Sequence, residues 1–464
     1  MNLTVTAGPA QDTQVGALIR AHRLRIGLTQ RELADLSTIS VRAIRDLEHG
    51  RARRPRTDTV RLMADALRLG PRARAALEDA AQLGRALGVT AGPPAPPDVP
   101  QPLLGRNTET GTLVRELSPD GEERLTHVVG LPGVGKTRVA LAVAATLHGG
   151  GMPVLWHAFP GAAREYLPTG PGIWTELTDR LVAGLYGDEP GPENTEPAGG
   201  LLGEGPVLLV LDGAPAGAPR FDRLTRLLHD VPGLRLLVTS DEPWQAPGER
   251  LFLLCPLPVP AADGNGSDLS GRPADPGAEG EPAVRMFLDQ VRRVRPEPAA
   301  AGADRERAVR ICRLLDGHPG ALSAAASWLV VSDLAALCDT LEADPTAFLD
   351  HLGGRADCLR ESLRNRIGRL PAGPRTLLTA LCAAPGGGES AGAGALEDSF
   401  QLPALTALTG RSLPECGRLL RELLLSGLVR AAHEEGASHF RVPALVRALV
   451  PGAAVCAPQA TAAV

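Results

Sequence analysis

The chain has 464 residues, 44% of them hydrophobic, and a formal net charge of −5. That is too long for one core and apolar enough for several packed ones, so about three or four domains are expected, and 53 Gly and 42 Pro imply long connectors between them. No apolar run reaches membrane-spanning length, and the first residues (MNLTVTAGPAQDTQ) lack the basic and apolar regions of a secretory signal, which points to a cytoplasmic protein with no membrane partner.

Charge is unevenly spread. Residues 1–90 hold 15 Arg against 9 acidic side chains, a net +6, so the remainder carries −11. A basic end on an acidic body implies an anionic partner for that end only. The seven cysteines (255, 312, 338, 358, 382, 416, 456) include no C-x-x-C pair, so they read as small buried side chains of a reducing compartment, not as disulfides or a zinc site.

Residues 13–84 read as an all-helical unit. Val15 to Ile19 with Leu24 give a first amphipathic helix. Thr29 N-caps a helix over Gln30–Leu36, and Ser37 to Ile39 form a turn. Ser40 caps a helix over Val41–Leu47, which Gly50 stops. Further helices are expected over 57–69 and 72–83. Two short capped helices across a tight turn make a helix-turn-helix unit. Arg51, Arg53, Arg54 and Arg56 follow it directly, a cluster suited to gripping a phosphate backbone. Residues 88–102 (GVTAGPPAPPDVPQP) form a Pro-rich linker.

Between 125 and 254, short apolar strands are expected at 125–129, 153–158, 207–211, 234–239 and 251–254, separated by helical stretches. This pattern predicts a parallel doubly wound sheet. The first strand runs into Gly130-Leu131-Pro132-Gly133-Val134-Gly135-Lys136-Thr137, which fits the phosphate-binding loop G-x-x-x-x-G-K-[ST], and Arg138 opens the helix after it. Glycines let backbone N–H groups close on a polyphosphate at a helix N-terminus. Lys136, the only lysine among 48 basic residues, would reach the β- and γ-phosphates. The Thr137 hydroxyl would ligate Mg2+. Asp212, ending the strand 207–211, has the form of a Walker B carboxylate that would hold the same ion. Low-complexity sequence over 259–283 separates this domain from helices expected at 284–291, 305–315 and 321–330. Helices, a glycine-rich loop (386–394) and a β-wing at 427–442 then make a winged-helix-like pattern.

Two resemblances organise these readings. Leu28, Thr29, Gln30, Glu32, Leu33, Ala34, Ile44, Leu47, Glu48 and Gly50 resemble the XRE-type helix-turn-helix family, except that Ser37 or Thr38 stands where that family places a turn glycine. The resemblance implies double-stranded DNA as partner and 41–47 as recognition helix. Ser40, Arg42 and Arg45 would face the major groove, and Thr29 and Gln30 would lie near the backbone, with Gln30 against a phosphate. Residues 103–450 are similar to the NB-ARC branch of STAND-class P-loop NTPases. The match runs through Gly105-Arg106-Asn107-Thr108-Glu109, the phosphate loop, Asp212, Leu237–Ser240, Leu254–Leu257 and Gly317-His318-Pro319-Gly320-Ala321-Leu322. It implies ATP or ADP with Mg2+, Gly105 and Arg106 near the adenine, and Pro319 against the nucleotide.

Three parts of the NB-ARC pattern are replaced. Asp241 stands where an arginine would contact the γ-phosphate, Gly213 follows Asp212 in place of a second acid, and Val442-Pro443-Ala444 replaces a Met-His-Asp motif.

The expected fold class is therefore multidomain. It comprises an all-α helix-turn-helix domain (1–87), the linker 88–102, an α/β P-loop domain with a parallel sheet (103–258), and the low-complexity segment 259–283. A helical ARC-like domain (284–350), a winged-helix-like domain (351–455) and a tail (456–464) follow. The expected function is a nucleoid-associated, pathway-specific transcriptional regulator with a nucleotide-binding switch module, capable of homo-oligomer formation and at most a slow ATPase. The alternative is a signalling or defence ATPase that uses its helix-turn-helix domain to dock a partner.

Overall fold

The computed structural model describes residues 14–48, 55–70, 73–74, 77–78, 81, 94–98, 102–160, 172–187, 205–260, 282–295, 303–350, 359–383, 399–434 and 437–450. Outside these lie Gly50, Arg51, Arg53, Arg54, most of the helix expected at 72–83 and of the linker 88–102, the bulk of 259–283, the loop 386–394, Cys358, Cys456 and the tail. Among the described residues no helix is long and apolar enough to cross a membrane.

The N-terminal unit packs α1 (Gln14–Arg25), α2 (Gln30–Ser37), α3 (Val41–Glu48) and α4 (Thr57–Ala66) around Val15, Ile19, Leu33, Ile44, Leu47, Val60 and Met63. α2 starts as expected. Thr29 Oγ1 accepts from Glu32 N at 3.2 Å and the Glu32 carboxylate accepts from Thr29 N at 2.7 Å, a reciprocal capping box. The turn residue is Thr38, at φ 58° and ψ 23°, so a threonine adopts the left-handed conformation that a glycine would take at less cost. Gly16 lets α1 approach α3, since a Cβ there would lie 2.0 Å from the Leu47 carbonyl oxygen. Leu24, expected on the buried stripe of α1, is instead 58% exposed, because the buried stripe runs at four-residue spacing through Val15, Ile19 and Arg23 and Leu24 falls off it.

The α/β unit begins with α5 (Asn107–Leu117) and continues through β1 (Leu125–Val129), α6 (Lys136–Gly149), β2 (Val154–Ala158), α7 (Gly172–Tyr186), β3 (Val207–Asp212), α8 (Phe221–Asp230), β4 (Leu234–Ser240) and β5 (Arg250–Leu253). Each strand lies within one residue of its expected bounds. All pairings are parallel, in the order β2-β3-β4-β1-β5. Alternate residues of the central strands feed two separate cores. Leu209, Leu211, Leu236 and Val238 lie on one face, and Leu208, Val210 and Leu237 lie on the other, beneath α6.

The C-terminal half is helical: α9 (Pro282–Val294), α10 (Ala303–Leu314), α11 (Pro319–Ser327) with a 3-10 turn (Trp328–Val330), α12 (Leu334–Ala343), α13 (Leu359–Gly368) and α14 (Ala372–Ala383). Then come β6 (Ser399–Phe400), α15 (Leu402–Thr409), α16 (Leu413–Leu425), β7 (Arg430–Glu434), β8 (Ala437–Arg441) and α17 (Ala444–Leu449). The short strands form an antiparallel sheet, β6-β8-β7. One apolar cluster runs from Ala283 to Val450 without a break at the expected 350/351 boundary, and Leu131 of the phosphate loop and Leu257 are part of it.

Candidate functional site

The loop between β1 and α6 is built on three glycine requirements. A Cβ at Gly130 would lie 2.6 Å from the Leu254 carbonyl oxygen, while Gly133 and Gly135 hold φ of 77° and 103°. Gly135 is the N-cap of α6, so the loop's N–H groups and the helix N-terminus converge at one place. Strand order supplies the rest. β4 lies between β1 and β3, so its C-terminal residues emerge between the loop and Asp212.

Thr137 Oγ1 donates to Asp212 Oδ1 at 2.8 Å, and Thr239 Oγ1 donates to the same oxygen at 2.7 Å. Burial pushes the Asp212 carboxyl up, opposed by these two hydrogen bonds and by the charge of Lys136. Among the described residues, buried Oδ2 has no hydrogen-bond partner. A threonine hydroxyl beside a carboxylate with a spare buried oxygen fits the donor set of a hydrated divalent cation.

Lys136 Nζ donates to the carbonyls of Gly130 (2.9 Å) and Leu131 (3.1 Å) and to Asp241 Oδ1 (2.8 Å). Asp241, standing where the resemblance places an arginine against the γ-phosphate, pairs with the lysine. Arg250, a cation from the strand just after it, donates to Leu251 O and Glu116 and so is held at the sheet edge. The cation that does approach is Arg366 of α13. It pairs with Glu242, feels the charge of Asp241, and is pushed down by burial, with Nε unpartnered among the described residues.

The C-terminal half packs directly on the loop. Gly320 N donates to Gly133 O at 3.0 Å, and a Cβ at Gly427 would lie 3.2 Å from Leu131 Cγ. His318 N-caps α11, its Nδ1 accepting from Ala321 N at 3.2 Å, and Pro319 takes the first position, where its missing N–H costs nothing. Burial drives the His318 imidazole down to about 3, and Arg430, Lys136 and Arg106 act in the same direction, so it is neutral at pH 7. Its Nε2 has no hydrogen-bond partner among the described residues. Asp316 ties the far side together. It pairs with Arg441 and accepts from Ala444 N at 2.6 Å, so the residues replacing a Met-His-Asp motif start α17 on that carboxylate.

Arg106, which the resemblance places near the adenine, is held by the protein itself. Its guanidinium is buried, donating to Cys255 O (2.6 Å), Val134 O (3.3 Å) and Glu109 Oε1 (3.0 Å), so it braces the loop from behind. Gly105 takes φ 66°, where a Cβ would overlap Pro282. Arg138 donates to Pro102 O at 2.9 Å. Cys255 is exposed, unlike Cys312, Cys338, Cys382 and Cys416, and all five are free thiols.

Sequence reasoning missed a buried chain at the end of β4. His127 Nδ1 faces Glu249, its Nε2 lies 2.6 Å from Ser240 Oγ, and Trp244 packs edge-on at 5.0 Å. The one available signal was a histidine inside the apolar strand LTHVV.

In the helix-turn-helix unit, Ser40, Arg42, Arg45 and Arg56 are exposed, and Arg42 lies 3.9 Å from Asp46. Ser40 Oγ accepts from Ala43 N at 3.2 Å, so this hydroxyl caps α3. Gln30, expected at a phosphate, donates to Glu48 Oε2 at 2.7 Å. It joins a buried pair in which Arg23 donates to both Glu48 oxygens at 2.6 and 2.8 Å.

A family model described as helix-turn-helix (HTH_3) matches residues 19–74. Uncharacterized protein Rv0894 of Mycobacterium tuberculosis (strain ATCC 25618 / H37Rv) and uncharacterized protein Mb0918 of Mycobacterium bovis are each 27% identical over 240 residues, 48% of this chain and 50% of theirs. The chain thus spans about half the length of the curated relatives it matches. NtrX from Brucella abortus in complex with ADP aligns at a TM-score of 0.30 and 15% identity, covering 79% of this chain and 80% of that one. A single-substitution form of Thermotoga maritima RuvB aligns at 0.27 and 13%, covering 73% and 90%. Scores this low do not bear on function. Residues 19–74 form a helix-turn-helix domain, followed by an α/β domain with a parallel five-stranded sheet and a helical C-terminal region.

Proposed function

We propose that the chain is a DNA-binding transcriptional regulator whose NB-ARC-like module holds ATP or ADP with Mg2+ and sets the protein's assembly state. The nucleotide-facing set is Gly130, Pro132, Gly133, Val134, Gly135, Lys136, Thr137 and Arg138, with Asp212 and Pro319, and Thr137 and Asp212 as the Mg2+ pair. Arg42, Arg45 and Ser40 read bases, while Arg51, Arg53, Arg54 and Arg56 hold the backbone. The β7-β8 hairpin after α16, joined by β6 from before α15, supports a winged-helix-like reading of the last domain.

The observation that carries this reading is the burial of Leu131, a phosphate-loop residue, in the C-terminal apolar core. A ligand that rearranges the loop must also act on that packing, so nucleotide state biases the arrangement of the C-terminal half. Through it, the spacing of paired DNA-binding domains changes. The loop and the carboxylate bind and orient phosphates. Gly213 offers no second acid beside Asp212, so no side chain there activates a water, and turnover stays far below the roughly 1 s⁻¹ floor of ordinary enzymes.

The test is footprinting of the full chain on genomic DNA with ATP, with ADP and with neither, for wild type and Lys136→Ala. Nucleotide-dependent protection in wild type, lost in the variant, is expected. Protection indifferent to nucleotide and to Lys136 would sink the switch; no protection at all would sink the DNA reading.

A further inference from the structure

An ammonium group has three protons to donate and no acceptor. In Lys136 all three are engaged, two by the Gly130 and Leu131 carbonyls and the third by the Asp241 carboxylate at 2.8 Å. In a phosphate loop, backbone N–H groups cradle the α- and β-phosphates while the lysine extends to the β- and γ-phosphates. Asp241 lies off the end of β4 and not on α6, and it takes the ammonium proton that a β- or γ-phosphate oxygen would take.

The Asp241 carboxylate is 42% exposed, but the segment that carries it is anchored on both sides. Each residue of its short segment is held by a different part of the protein. Thr239 Oγ1 donates to Asp212 Oδ1 at 2.7 Å and accepts from Gly213 N at 2.9 Å. Ser240 Oγ lies 2.6 Å from His127 Nε2 and accepts from Glu242 N at 3.2 Å, and His127 is itself anchored by Glu249. Glu242 pairs with buried Arg366. These restraints hold the residues on either side of Asp241, and so set the place from which its carboxylate reaches Lys136. Arg366, which feels the charge of Asp241, is engaged by Glu242.

We infer that Asp241 is an internal stand-in for a γ-phosphate, making the site selective for nucleoside diphosphates over triphosphates, an inference that rests on the nucleotide-binding reading above. A diphosphate fills the cradle and reaches Lys136 through its β-phosphate while the carboxylate stays. A triphosphate brings a further anion to the position the carboxylate holds, and like charges at that separation exclude one another. Selectivity then arises from a repulsive element built against the wrong ligand.

Titration calorimetry with Mg2+ decides it, using ADP and a non-hydrolysable ATP analogue on full-length wild type, Asp241→Asn, Asp241→Ser and Lys136→Ala. Wild type should prefer ADP, and both Asp241 variants should bind the triphosphate on the order of tenfold tighter, with ADP affinity changed much less. Lys136→Ala should lose both ligands. Wild type binding both nucleotides equally, or an ADP preference unchanged in both Asp241 variants, overturns the selectivity while nucleotide binding stands. If no protein binds either nucleotide, the nucleotide reading falls and takes this inference with it.

Discussion

Gly320 donates its backbone N–H to the carbonyl of Gly133 at 3.0 Å, so the first turn of α11 is hydrogen-bonded to the phosphate loop itself. Neither residue has room for a side chain. A Cβ at 133 would lie 3.0 Å from His318 Cε1, and one at 320 would lie 3.0 Å from the Gly133 oxygen. Gly320→Val should therefore separate helix from loop and raise amide hydrogen exchange across residues 130–135. Protection equal to wild type would show that this contact does not restrain the loop.

The burial of Asp212 costs stability at neutral pH. Burial raises its carboxyl above the ordinary 3.8, so the folded state resists ionisation. The resulting cost is absent below the unfolded value and complete once pH exceeds the folded one, which makes it a cost at pH 7. Asp212→Asn should raise the melting temperature of the nucleotide-free protein and abolish the dependence of nucleotide affinity on Mg2+. A lower melting temperature together with retained Mg2+ dependence would remove Asp212 from the metal site.

Glu48 has the opposite sign. Burial alone would raise it, but hydrogen bonds from Arg23 and Gln30 outweigh that and hold it below its usual 4.5. Its contribution is present in full above the unfolded value and disappears as pH falls through the depressed one. Glu48→Ala leaves Arg23 buried without its partner and should destabilise the helix-turn-helix unit by about 3 kcal/mol, the scale for breaking a buried pair. In the variant, acid below about pH 4 should cost that unit less than it costs wild type. Thermal melts followed by circular dichroism across pH check both statements.

On the proposed DNA-binding reading, the arginines around the helix-turn-helix unit should divide by role. Arg42 and Arg45 are exposed on α3, so replacing either with Ala should cost about 1–3 kcal/mol at one base pair of the site. Replacing Arg53 and Arg54 should weaken all sequences alike and lower the slope of log K against log salt by roughly 1 per lost phosphate contact. Fluorescence anisotropy over a salt series separates the two patterns. A sequence-independent loss at Arg42 and Arg45 would remove α3 from the major groove.

The sequence by itself determined the local elements. Strand bounds, the capping box at Thr29 and Glu32, and the glycine loop before Lys136 follow from residue type and spacing over a few positions, because backbone sterics and helix-end hydrogen bonding are short-range. The tertiary structure alone decided which charges meet. Asp241 lies more than a hundred residues from Lys136, and strand order, with β4 inserted beside β1, brings them together. Arg366 at Glu242, Gln30 at Glu48 and Arg106 behind the loop are likewise long-range matches. A charged side chain takes whichever partner the folded chain leaves within reach once water is excluded, and periodicity along the sequence carries no record of that choice.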